Sequence, residues 1–169
     1  MIRYCYMFFA TFLIMPFSLN AESLDPRLVA DSSKGEWTLF VIPDTQHYSQ
    51  NRDNAPIAYM NAAFDWLVDT RAQLNIKFVQ GLGDITESGS FFGQWDLASA
   101  AWDKLYGQIP FAVNQGNHDS ITSINRYFPV SSFSSEVWWG GSYEGIHNSY
   151  QIFNFYGEDY LFMNVQSHD

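Results

Sequence analysis

Three short apolar runs each end in a turn built from acids, amides or histidine, and the stretches between them carry a helical period. Trp37-Thr38-Leu39-Phe40-Val41-Ile42 runs into Pro43-Asp44-Thr45-Gln46-His47. Ile76-Lys77-Phe78-Val79-Gln80 runs into Gly81-Leu82-Gly83-Asp84-Ile85-Thr86-Glu87. Pro110-Phe111-Ala112-Val113-Asn114 runs into Gln115-Gly116-Asn117-His118-Asp119. Near-continuous apolar runs of this length suit strands buried on both faces. Between the first two, Ile57, Met60, Phe64, Leu67 and Val68 fall on one helical face, with Asn54 as a cap and Pro56 in the first turn. Between the second and third, a helix over 92–106 puts Trp95, Ala98, Trp102 and Leu105 on one face. The order β-α-β-α-β predicts an α/β fold with a parallel sheet and right-handed crossovers. Residues 120–148 are irregular and rich in Ser, Gly and Trp, and 150–156 and 160–165 read as two more strands. No repeat or linker interrupts the chain, which reads as one domain.

In a parallel sheet the carboxyl ends of the strands share one edge, and ligands bind there. Asp44, Asp84, Asn117 and His118 are therefore expected to converge. The glycines before Asp84 and Asn117 permit tight turns and close backbone approach. Carboxylate and amide oxygens suit hard divalent cations, and imidazole widens the choice to iron, zinc or manganese. One carboxylate bridging two ions clamps the attacking and leaving oxygens of an in-line displacement, the chemistry of phosphoester hydrolysis.

The amino terminus reads as an export leader. Residues 1–21 hold one base, Arg3, no acid, an apolar run over 4–17, and Ser18-Leu19-Asn20-Ala21 at the expected cut. The run is too short to span a bilayer, so no stable membrane anchor is expected. The folded domain is then 22–169, with a periplasmic or secreted address. The single cysteine, Cys5, lies in the leader, which excludes a disulfide framework and a cysteine-based zinc cluster. Eight bases against 18 acids, a net charge of −10, exclude long duplex nucleic acid as a partner, because phosphate binding wants a basic face. Aromatic residues make up 18% of the chain, the mark of a packed core rather than of disorder.

Gly83-Asp84-x-x-Glu87 and Gly116-Asn117-His118-Asp119, each at a strand end, resemble the motifs of the calcineurin-like metallophosphoesterases. Asp44-Thr45-Gln46 is similar to that family's first block, which is more often Asp-x-His. The likeness covers about 37–165. It implies a metallophosphoesterase-like core with two divalent ions (Fe, Mn or Zn) at the strand ends and a phosphoester substrate, mono- or diester. Asp44 and Gln46 would hold the first ion, Asp84 would bridge both, and Asn117 would hold the second. A water or hydroxide on the ions would be the nucleophile. His118 would contact the phosphate and help the leaving group depart. Asp119 would hold His118 by a hydrogen bond.

The chain departs from the family in two places. Gln46 replaces the usual histidine, and His47 beside it is the alternative ligand. The family's later single histidine and Gly-His-x-His block have no counterpart: His147 reads as a solvated loop residue and His168 as a tail residue. The chain therefore reads as the N-terminal part of such a domain, an incomplete sandwich with apolar surface left open. The alternative is a catalytically silent secreted binding or structural domain that keeps the fold. No Gly-x-Ser-x-Gly occurs, against a serine hydrolase. Glu87 reads as a loop hydrogen-bond acceptor, and Trp138-Trp139 as loop packing or, at the cleft mouth, a stacking platform.

Overall fold

The computed structural model describes residues 6–9 and 24–166. Its first sheet is parallel, with strand order β1-β2-β3-β4: β1 is Tyr6–Phe9, β2 Thr38–Ile42, β3 Ile76–Gly81 and β4 Phe111–Ala112. The second is antiparallel, in the order β5-β6-β7, with β5 Trp139–Ser142, β6 Ser149–Phe155 and β7 Glu158–Asn164. Four α-helices are described: α1 Gln46–Ser49, α2 Ile57–Thr70, α3 Phe92–Trp102 and α4 Ile121–Tyr127. The α/β class and the β-α-β-α-β order are as expected.

Strand β1 comes from the segment read as an export leader; the rest of 1–21 lies outside the described residues. Tyr6 to Phe9 pair in parallel with Thr38 to Val41. An apolar, aromatic tetrapeptide is a good strand former, and here it fills the open edge of β2.

Alternation along the central strands sorts the molecule into three layers. Val79 and Ile42 face α2 and α3 and join Met60, Phe64, Leu67, Trp95, Ala98, Trp102 and Leu105 in the main core. The residues expected on the inner faces of both helices are thus the ones that pack, with Ile57 and Val68 at the margin. Phe64 meets Trp102 edge-on, with ring centroids 5.0 Å apart. On the other face of the sheet Phe78 and Ala112 pack against Phe153, flanked by Leu39, Phe155 and Phe162. Full burial of each such ring contributes about 1.5–3 kcal/mol, which makes these two aromatic seams the main cohesion of the fold.

Several elements differ from expectation. The third strand shrinks to two residues, and Val113 just beyond it is buried in the main core. The second helix ends at Trp102 and tightens into a 3-10 turn, Asp103–Leu105. Helix α2 begins at Ile57, with Pro56 just before it, and its first free amide is met by Asn51 Oδ1 at 3.0 Å rather than by Asn54. The second sheet has a third strand, β5, which the Gly-rich Trp-Gly-Gly-Ser stretch concealed. With it the second sheet has three strands where two were expected. The inner residues of β6 and β7 are apolar near the turn and polar near the site. Gln80 Nε2 donates to Asn164 Oδ1 at 2.7 Å, and Asn164 and Gln151 both donate to Ser149 Oγ. The outer face of this sheet stays exposed and apolar at Tyr150, Ile152, Leu161 and Met163. Among the described residues no helix is long and apolar enough to cross a membrane.

Candidate metal centre

The three strand-end loops are tied to one another through Asp84. Its backbone carbonyl accepts the Thr45 amide at 3.0 Å, and its Oδ1 accepts the His118 amide at 2.9 Å. Thr45 Oγ1 also reaches the Ile85 carbonyl at 3.4 Å. Asp44 and Gln46 flank Thr45, and Asn117 precedes His118, so the loops after β2, β3 and β4 are joined at Asp84. Asp84 itself has φ +47°, a left-handed conformation that aspartate tolerates better than most residues. The loop after β4 must pass very close: a Cβ on Gly116 would lie 2.1 Å from Asp84 Oδ1, and one on Gly83 would lie 2.5 Å from the Gly116 amide. Only glycine fits at both positions, which gives the Gly-Asp and Gly-Asn-His spacings a steric cause.

Asp119 does not hold His118. Its carboxylate is buried and accepts the amides of Ile85 at 3.0 Å, Thr86 at 2.9 Å and Gly116 at 3.1 Å, with Thr86 Oγ1 at 3.2 Å. It clamps the loop after β3 to the loop after β4. Burial pushes its carboxyl above the ordinary range, and the three amides pull the other way. The catalytic assignment of Asp119 is therefore corrected to a positioning one.

Glu87 occupies the place expected of Asp119. His118 Nδ1 lies 3.1 Å from the Glu87 carbonyl oxygen. A carbonyl can only accept, so Nδ1 carries the proton and Nε2 is left to meet a substrate. Glu87 Oε2 lies 3.6 Å from His118 Nδ1 and 3.9 Å from His47 Nδ1. The Glu87 carbonyl raises the His118 pKa; desolvation opposes this, and the charges of Asp84, Glu87 and Asp119 add to the rise. That favours a cationic ring. The loop carrying Glu87 is itself pinned, since Gly89 donates to the His118 carbonyl at 3.0 Å and its own carbonyl accepts Trp95 Nε1 at 2.8 Å and Ser123 Oγ at 2.7 Å. Trp95, expected only as core, thus also holds the site loop. The spacing of Glu87 from Asp84 was visible in the sequence, but its link to His118 arises only when the loops meet.

Among the described residues no three His, Cys, Asp or Glu side chains gather as a metal cage. The expected ligand set contains only two such residues, Asp44 and Asp84, with the amides Gln46 and Asn117. Asp44 and Asn117 are exposed at the edge, while Asp84 and Gln46 are half-buried. Gln46 opens helix α1, and its Oε1 is buried without a hydrogen-bond partner. Gln115 Oε1, before Gly116, is in the same condition. A buried acceptor left unmet costs about 1–3 kcal/mol, so oxygens in this state at the strand-end loops fit a cation or a donor-bearing ligand. The side chain of His47 is 67% exposed and turns its Nδ1 toward Glu87.

Two other expectations resolve away from the site. His147 is buried at 2% exposure, not solvated. Its Nδ1 lies 3.2 Å from Asn125 Nδ2, which can only donate, so the ring is neutral with Nδ1 as acceptor. Burial lowers its pKa, with Glu144 opposing. Trp138 and Trp139 stack on Phe153 and Phe133, with centroids 5.9 and 5.8 Å apart. Trp138 lines two open clefts beside Pro110, at the opposite end of β4 from the site, so the pair packs the loop. His168 lies outside the described residues.

No family model matches this chain. It is similar to the uncharacterized protein YvnB of Bacillus subtilis (strain 168), with 28% identity over 167 residues that take in 88% of this chain. The chain spans 13% of the length of that relative.

Proposed function

We propose that this chain carries the strand-end half-site of a calcineurin-like metallophosphoesterase and acts in metal-dependent hydrolysis of a phosphoester. The observation that supports the reading is the joining of the three strand-end loops at Asp84, which accepts the Thr45 and His118 amides, with the Gln46 amide oxygen buried and unmet beside Thr45 in the chain. Oxygen donors of this kind suit divalent ions, and Asp44, Gln46, Asp84 and Asn117 would hold them. Ions bound there would lower the pKa of water and polarise the phosphoryl oxygens. His118, with Nδ1 committed to the Glu87 carbonyl, presents Nε2 to the phosphate and to the departing oxygen. Asp119 and Gly116 keep Asp84 and His118 in register. The leader-like N-terminus supports a periplasmic or secreted address, and mass spectrometry of the exported protein is expected to find Glu22 as its first residue, in which case the exported form lacks β1.

The deciding assay uses a chromogenic phosphomonoester and a phosphodiester with Mn²⁺, Zn²⁺ or Fe²⁺. Metal-dependent turnover is expected, falling at least about 100-fold in His118→Asn, in the range general acid catalysis supplies. Asp84→Asn is expected to abolish it. Turnover that survives Asp84→Asn overturns the site. Metal-dependent stabilisation without turnover of either ester would favour a silent binding domain.

A further inference from the structure

The hairpin loop between β5 and β6, residues 143–148, stands at the site end of the second sheet. Ser149, just after it, pairs with Asn164, whose Oδ1 accepts Gln80 Nε2 at 2.7 Å near the end of β3. Tyr143 and Glu144 of the loop are exposed, while Ile146 and His147 are buried at 0% and 2% exposure. One side chain of α4, Asn125, holds the loop. Its Oδ1 accepts the Ile146 amide at 2.8 Å, and its Nδ2 donates to the Ile121 carbonyl at 3.0 Å. A backbone amide can only donate and a carbonyl can only accept, so these two bonds fix which end of the Asn125 amide is which. The atom 3.2 Å from His147 Nδ1 is therefore a donor, Nδ2. That contact is a hydrogen bond only while Nδ1 keeps its lone pair. A proton on Nδ1 sets two donors against each other, and turning the Asn125 amide over to meet it would break both other bonds.

We propose that loop 143–148 is a pH-operated flap: Asn125 latches it to α4 while the His147 ring is neutral, and protonation of that ring unlatches it. The flap stands apart from the metal-centre reading and does not depend on it. Ile146, packed in the main core, helps to keep it shut. Glu144 on the loop itself is the charge that favours the proton, and burial outweighs it. On α4, Arg126 has its guanidinium over the Phe92 ring at 4.6 Å. Beyond β7 the neutral Gln166 meets the loop, its amide donating to Asn148 Oδ1 at 2.9 Å. In the open loop the ring regains its ordinary pKa of about 6.5, above that of the latched ring. The open form takes the proton first, so acid below about pH 6.5 favours it.

Amide exchange followed by NMR on the full chain tests this, with each rate corrected for its intrinsic pH dependence. The Ile146 amide reports the latch. The Val79 amide, bonded to the Pro110 carbonyl at 2.9 Å, reports opening of the whole fold. From pH 7.5 to pH 5, Ile146 opening in the wild type is expected to rise at least about five-fold. At pH 5 Ile146 is expected to open at least about ten-fold more often than Val79. Equal opening of the two amides, or an Ile146 rise below about two-fold, overturns the flap. His147→Gln keeps an acceptor for Asn125 Nδ2 and does not titrate, so its rise is expected to fall below about two-fold. Asn125→Asp keeps the acceptor for Ile146 and replaces the Nδ2 donor with an oxygen that holds the protonated ring. There acid is expected to close the loop, and this variant decides the matter if His147→Gln does not fold. A five-fold rise that survives in either folded variant overturns the latch.

Discussion

Neighbouring residues in a loop have separate tasks, and the Asn117-His118-Asp119 run shows why. His118 lies beside Glu87, whereas the next residue, Asp119, turns inward to collect the amides of Ile85, Thr86 and Gly116. Adjacency in sequence invited a His118–Asp119 pair. Only the meeting of two loops reveals that the partner lies 31 positions earlier. The clamp has a measurable value. Asp119→Ala would strand the buried amides of Ile85 and Thr86 and the half-buried one of Gly116, with a buried amide worth about 1–3 kcal/mol when left unmet. A loss of about 3 kcal/mol or more in urea unfolding is expected, with the metal-free protein as reference. A loss under about 1 kcal/mol would mean that water replaces the carboxylate and that Asp119 is no clamp.

Helices and inner strands were legible because their signals are repetitive. Five apolar positions announce the buried side of α2, and four announce that of α3 with its 3-10 extension, so one ambiguous residue does not matter. The ends of elements were less legible, because each depends on a single contact. Asn51, not Asn54, caps α2: with φ +53° it folds back and its Oδ1 accepts the Ile57 amide. Asn51→Ala removes the acceptor and places a Cβ-bearing residue without a local hydrogen bond in the left-handed region. A cost of about 1–2 kcal/mol is expected from the cap alone, against no more than about 0.5 kcal/mol for Asn54→Ala, by chemical denaturation. The loop before β6 was illegible for another reason. Gly145, Asn148 and Ser149 look like solvent-facing chain, yet Asn125 of α4 folds the loop inward by accepting the Ile146 amide at 2.8 Å. Burial there depresses the His147 pKa, so its folded value lies below its unfolded value of about 6.5. The unfolded chain then binds the proton first. The stability tied to the neutral ring is present above pH about 6.5 and is lost as pH falls through the folded value. His147→Gln is expected to flatten the fall in melting temperature between pH 7 and 5. An identical slope in both proteins would show that other groups set it.

At the scale of the whole molecule, the parallel sheet is covered on both faces but the antiparallel sheet on only one among the described residues. Strand β7 is an edge, and Leu161 and Met163 on its outer face are 60% and 63% exposed. They stand opposite Ile152 and Tyr150 of β6, so the four make one contiguous apolar patch. The sequence expectation of open apolar surface was right about its existence. It is the far side of the antiparallel sheet that lies open. Alternation in β6 and β7 is weak because apolar residues occupy both faces, which is why the pattern alone could not say which face packs. An open apolar face on an edge strand favours association with another copy. The net charge of −10 opposes it and does so less as salt rises. Sedimentation velocity is therefore expected to show self-association that strengthens with salt. The pair Leu161→Lys and Met163→Glu leaves net charge unchanged and touches no residue of either buried cluster. It is expected to abolish the association while moving the melting temperature by no more than about 2 °C, the span of a surface change under 0.5 kcal/mol. Association that persists in the double variant would move the contact to another surface. Association that weakens with salt would make the contact electrostatic, and the patch on β6 and β7 would not be its source.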